Sequence, residues 1–177
     1  MNKKKIVIIA VIVVVCGLLI AVISSVGWLF YNMKKDAPKM TKDELAITLK
    51  QNKAKFENVV NLLNKHPYIL EIDNKDFFEK SGHLFYYATK DKVYIESKQK
   101  LENDVIKEIE QSDVSFIIKT LKFNQITNED SDIYFVEGAD LAVAKGLVCV
   151  QIGDKPSNIY IIELEKVDDK WFYFKQR

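Results

Sequence analysis

Arginine is nearly missing from this chain. Arg177 is the one arginine, and every other positive charge is a lysine. Buried clamps on carboxylate or phosphate are normally built from arginine's planar fork, so a site of that kind is not expected. Cysteine is as scarce, with two residues, Cys16 and Cys149. One lies in an apolar run and the other in a strand-like stretch far from it, so no intrachain disulfide is expected. The two histidines, His66 and His83, have no second imidazole at helical spacing. Cys149 stands alone among valines, and zinc-ligand spacing is absent. Glycine is limited to 6 residues and proline to 3. No glycine-rich phosphate loop, G-x-S-x-G or H-E-x-x-H occurs. No cofactor, no metal and no catalytic motif is expected. Nor is nucleic acid, because from Asp36 onward 21 basic residues face 25 acidic ones, without a basic cluster.

What is present begins with the stretch from Ile6 to Tyr31, which carries no charged side chain. As a helix, Ile6 to Ile23 alone would reach ~27 Å, close to the hydrocarbon thickness of a bilayer. Trp28 and Tyr31 fall where aromatic side chains favour the headgroup layer. The run is longer than the apolar part of a cleaved signal, whose cleavage could follow only Ser24 or Gly27. Val15 ahead of Cys16 argues against lipidation. Four parts are therefore expected: a cytoplasmic tail (1–5), a transmembrane helix (6–31), a spacer (32–40) and an extracytoplasmic domain (41–177). Lys3, Lys4 and Lys5 ahead of the run favour a cytoplasmic N-terminus, although Lys34, Lys35, Lys39 and Lys42 follow it closely. The lipid bilayer is then the first partner. Gly17, Ala21 and Ser25 fall at i, i+4 and i+8, a small-residue face of the sort that lets two helices approach in lipid. It is a candidate contact for a homodimer or for a second membrane protein.

The remaining stretch of about 140 residues is the length of one domain, with a core adequate for folding. Thr41 and Glu44 make a capping-box pair. Leu45, Leu49, Phe56, Val59, Val60 and Leu63 then form one stripe, on a helix that runs to about Lys65 and stops at His66-Pro67. Asn52 and Lys53 interrupt the stripe, which argues for packing on a sheet rather than a coiled coil. Tyr68–Ile72 reads as a strand, and Leu84–Ala88 with Val93–Glu96 as a hairpin. Ser97 is expected to cap a helix from Lys98 to about Gln111. Asp113–Phe123 reads as a short helix, with strand alternation as its rival. Strands follow at about 123–128, 132–137, 142–152, 158–167 and 171–175. Their short turns predict antiparallel neighbours in chain order. The class expected is α+β: a transmembrane helix, a long amphipathic helix, one or two further helices and a mainly antiparallel sheet.

Two groups invite a chemical reading. Glu163 and Glu165 share one face of a strand. A carboxylate pair serves glycoside hydrolysis only across a cleft, and near a hairpin end solvated charges are the plainer reading. Cys149, between Val148 and Val150, reads as a small buried hydrophobe.

The basic leader, apolar run, amphipathic helix and closing Ile-Glu-Leu-Glu-Lys-Val-Asp-Asp-Lys-Trp-Phe-Tyr resemble uncharacterised single-pass membrane-anchored proteins of clostridia-like Gram-positive bacteria. The final strand–turn–strand also resembles the end of NTF2-like domains. That likeness implies a pocket between helix and curved sheet, and a role in binding or assembly; it carries no catalytic residue. The expectation is thus a membrane-anchored extracytoplasmic binding or assembly module, not an enzyme, with an envelope component or membrane protein as partner. The alternatives are an enzyme with an unrecognised pocket, or an accessory sensor acting through a membrane partner.

Overall fold

A computed structural model describes residues 18, 20–25, 39–74, 84–139, 143–158 and 160–177. The chain divides into two compact units, Met1–Ala37 and Pro38–Arg177.

In the first unit the helical residues include 20–25. Leu18, Ile20, Val22 and Ile23 are exposed there. The Ser25 hydroxyl donates to the Ala21 carbonyl at 2.8 Å. The expectation that the fold opens on a transmembrane helix is corrected: among the described residues no helix is long and apolar enough to cross a membrane. The rest of the 6–31 run lies outside the described residues.

The second unit starts at a cap. Thr41 Oγ1 accepts the Glu44 N–H at 3.3 Å, and Glu44 Oε2 accepts the Thr41 N–H at 2.7 Å. These bonds satisfy two orphan donors of helix α1 (Lys42–Lys65). Asn52 breaks the helix geometry (φ −124°, ψ 20°), and its side-chain amide donates to the Thr48 carbonyl at 3.0 Å. The kink rotates the apolar stripe, so Leu45 and Leu49 before it and Phe56, Val59, Val60 and Leu63 after it are all buried. The backbone N–H of His66 closes the helix on Leu62 and Leu63, and Pro67 prevents continuation.

Among the described residues eight strands follow: β1 (Ile69–Asp73), β2 (Phe85–Ala88), β3 (Tyr94–Ser97), β4 (Gln125–Glu129), β5 (Asp132–Ala139), β6 (Ala144–Cys149), β7 (Ile161–Asp168) and β8 (Trp171–Gln176). Helix α2 (Asn103–Gln111) and a π-helical turn (Phe116–Thr120) separate β3 from β4. The strands form one sheet in the order β2-β3-β1-β4-β5-β6-β8-β7, and every neighbouring pair is antiparallel. Of the α+β expectation, the transmembrane helix is overturned, and what the described residues form is a mainly antiparallel eight-stranded sheet with a few helices.

Two local readings are corrected as well. Ser97 caps no helix: it is buried, and its hydroxyl donates to the Tyr68 carbonyl at 3.1 Å. Helix α2 instead starts at Asn103 after Glu102, with the preceding stretch tied down by Leu101 N–H donating to the Tyr87 hydroxyl at 2.7 Å. Within Asp113–Phe123 the expected short helix forms, α-helical at Val114 and Ser115 and widened to a π-helical turn over Phe116–Thr120. Finally, β6 pairs with β8 rather than with β7. Trp171, Phe172, Tyr173 and Phe174 are all buried, so β8 needs cover on both faces and takes an inner place. Glu163, Glu165 and Lys166 suit β7 to the open edge.

The two faces of β8 enter different clusters. Trp171 and Tyr173 join α1, Phe135 and Phe123 in the main core. Phe172 and Phe174 join Tyr134, Val136, Val148 and Val150 on the other face. At the centre of the main core Phe56 meets Phe123, Phe135 and Trp171 edge-on, with centroids 5.5, 5.0 and 5.7 Å away. The β4–β5 loop is Asp130-Ser131, both at positive φ (49° and 75°), the geometry of a two-residue hairpin turn. At Gly146 the backbones of β5 and β6 approach so closely that a Cβ would lie 1.9 Å from the Phe135 carbonyl oxygen.

Candidate functional site

The C-terminal half of α1 and helix α2 each expose one face at steps of three and four residues. Asn58, Asn61, Leu62 and Lys65 form the first face, and Asp104, Lys107, Glu108 and Gln111 the second. With Ser112 they line a groove of about 520 Å³. Leu62 supplies apolar floor, while the rim is amide- and hydroxyl-bearing. Two lysines face two carboxylates, so the groove offers donors and acceptors without a field of one sign.

Its ends are pinned by ionic hydrogen bonds. Asp113 accepts from the Asn58 amide and the Lys55 ammonium, both at 2.9 Å. These partners, Asn58 foremost, hold its carboxyl below the usual range. Glu108 takes both oxygens to Lys65, at 2.7 and 2.8 Å. Its carboxyl is also held low, first by Lys65 and then by His66.

Behind Glu108 lies a three-residue chain. His66 Nε2 stands 3.0 Å from Glu108 Oε2, and His66 Nδ1 stands 2.8 Å from the Tyr68 hydroxyl. His66 is buried. A neutral imidazole satisfies both contacts if Nε2–H donates to the carboxylate and Nδ1 accepts from tyrosine. Carboxylate, imidazole and hydroxyl thus stand in line.

The residues singled out from the sequence fall elsewhere. Glu163 and Glu165 do share a face, but Glu165 binds Lys42 at 2.7 Å in the open and ties β7 to α1. Cys149 Sγ accepts from the Gln151 amide at 3.0 Å. Burial, partly offset by that bond, pushes its thiol up to about 11, which leaves it inert. A smaller groove of about 360 Å³ passes Cys149, Lys53, Gln151 and Trp171. Ala21 and Ser25 are one turn apart in the helical stretch, and the Ser25 hydroxyl is spent on its own helix; Gly17 and His83 lie outside the described residues. Among the described residues no group of three or more His, Cys, Asp or Glu could hold a metal ion.

No family model, curated protein or solved structure matches this chain.

The α1–α2 groove was not legible in the sequence. The i, i+3, i+4, i+7 sets could be written down for either helix, but nothing local states that they face each other. His66 read only as a helix terminus, because Glu108 lies 42 positions away.

Proposed function

We propose that residues 39–177 form a binding or assembly module held at the membrane by the apolar run of residues 6–31, on the outer side. The groove between α1 and α2 is its contact surface. The observation that carries this reading is the groove's lining of paired opposite charges, amides and one hydroxyl over an apolar floor. Such a lining suits a neutral or zwitterionic partner rich in amides and hydroxyls, such as an envelope polymer or a membrane protein's polar loop. The lysines ahead of the apolar run support the orientation. The glutamates and lysines exposed along β7 fit a protein whose sheet edge stays unpaired while another surface binds.

A photo-crosslinking side chain at Asn61 or Gln111 of the full chain, expressed in cells, tests the reading. Adducts are expected from both positions and not from Lys166. Equal adducts from groove and control, or none from the groove, would contradict it.

A further inference from the structure

We propose that Tyr68 is an activated hydroxyl: His66 takes its proton, Glu108 holds the imidazolium, and the phenolic oxygen attacks acyl esters. This gives the domain a covalent chemistry beyond partner binding. The inference rests on one arrangement. Tyr68 hydroxyl, His66 Nδ1, His66 Nε2 and Glu108 Oε2 are joined by contacts of 2.8 and 3.0 Å. A carboxylate that orients an imidazole against a hydroxyl is the general recipe for an activated nucleophile. Here the imidazole is buried, so water does not compete for its nitrogens, while Tyr68 is only half-buried. Lys65 keeps Glu108 ionised and therefore able to hold a cation.

Three other tyrosines differ. The Tyr87 hydroxyl accepts a backbone N–H, the Tyr134 hydroxyl is buried away from any imidazole or carboxylate hydrogen bond among the described residues, and Tyr160 is exposed. An unassisted phenol near pH 7 is almost wholly protonated and weakly nucleophilic. An adjacent base changes this by supplying proton transfer in the transition state, worth on the order of 100-fold or more. In the step, the Tyr68 oxygen bonds to the acyl carbon as its proton passes to His66 Nδ1. The ester C–O bond then breaks, and His66 returns the proton to the departing alcohol. Tyrosine and ester become acyl-tyrosine and free alcohol, with nothing oxidised or reduced. His66 is the base, and Glu108 is a positioning residue that acts through it.

The same contacts would serve as a plain latch between the end of α1, β1 and α2, and reactivity separates the two. The full chain in detergent is treated with p-nitrophenyl acetate near pH 7.5, and acetylation of each tyrosine is timed by peptide mass spectrometry. Tyr68 should be labelled on the order of 100 times faster than Tyr160 in the same molecule. Tyr68→Phe should remove that adduct without altering the melting temperature much. Glu108→Gln should slow labelling at Tyr68 and shift its pH profile to lower pH, because the imidazolium loses its carboxylate while Lys65 remains nearby. Loss of folding in His66→Gln would not rescue the idea, since Glu108→Gln and the Tyr68/Tyr160 ratio carry the test. Equal rates at Tyr68 and Tyr160, or a Tyr68 rate indifferent to Glu108→Gln, would reduce the arrangement to a latch.

Discussion

Phe56→Ala is the severest test of how this domain is held together. The ring is wholly buried and touches three other aromatic rings edge-on. Truncating a buried phenylalanine typically costs about 3–5 kcal/mol, from lost transfer energy and the cavity left behind. Edge-to-face pairs add roughly 0.5–1.5 kcal/mol each beyond burial. Three such pairs vanish here, and Phe123, Phe135 and Trp171 come from separate elements that cannot all move inward. The upper end applies, about 4–5 kcal/mol. Set against a usual total of about 5–15 kcal/mol, that is roughly a quarter of the stability or more. Phe56→Leu keeps most of the volume and loses the ring contacts, so about 1–2 kcal/mol is expected. Urea unfolding followed by circular dichroism measures both, with Trp171 fluorescence reporting the same site. A loss below about 1 kcal/mol for the alanine variant would mean that the core is centred elsewhere.

Three further outcomes follow from single contacts. Glu71 stands directly across from Glu96 in the β1–β3 register, and burial first, then Asp73, Glu96 and Glu129, raise its carboxyl above 4.5. A raised carboxyl favours its protonated form in the fold, so its stabilising share is complete below 4.5 and lost as pH rises through the folded value. Glu71→Gln should accordingly raise the melting temperature at pH 7, and the gain should fade as pH falls through the folded value and be gone below 4.5. Gly146→Ala places a methyl on the Phe135 carbonyl, and moving two paired strands apart should cost about 1–3 kcal/mol by denaturant titration. Buried Glu137 accepts the backbone N–H groups of Lys39 and Met40 at 3.0–3.2 Å; Glu137→Ala should cost about 1.5–3 kcal/mol and speed tryptic cleavage after Lys39.

What could be read from the sequence was what neighbours in the chain decide. Thr41 and Glu44 form their cap because both partners lie within one turn. Pro67 stops α1 through sterics on the preceding residue. Trp171 and Phe172 face opposite sides because strand periodicity demands it. Asp130-Ser131 turns where polar residues tolerate positive φ. Other features depended on competition between distant segments. β8 displaced β7 from β6 because its aromatic residues need cover on both faces, and no short-range turn rule weighs that. Ser97 looked like a cap until β3 buried it against Tyr68. The α1 stripe is interrupted at Asn52, where a side-chain bond to Thr48 turns interruption into a kink. The Tyr68–His66–Glu108 line exists only because α2 docks beside the end of α1. Hydropathy made the 6–31 run the most prominent feature of the sequence, and most of that run lies outside the described residues.

Placement of the domain outside the membrane is the claim on which the binding role depends, and one labelling experiment addresses it. Lys155 is exposed on the loop between β6 and β7, whereas Cys149 is buried. In intact cells carrying Lys155→Cys, a membrane-impermeant maleimide should label the chain as fully as it does after lysis, with the unsubstituted chain as background. Labelling that appears only after lysis would place the domain inside and contradict the account.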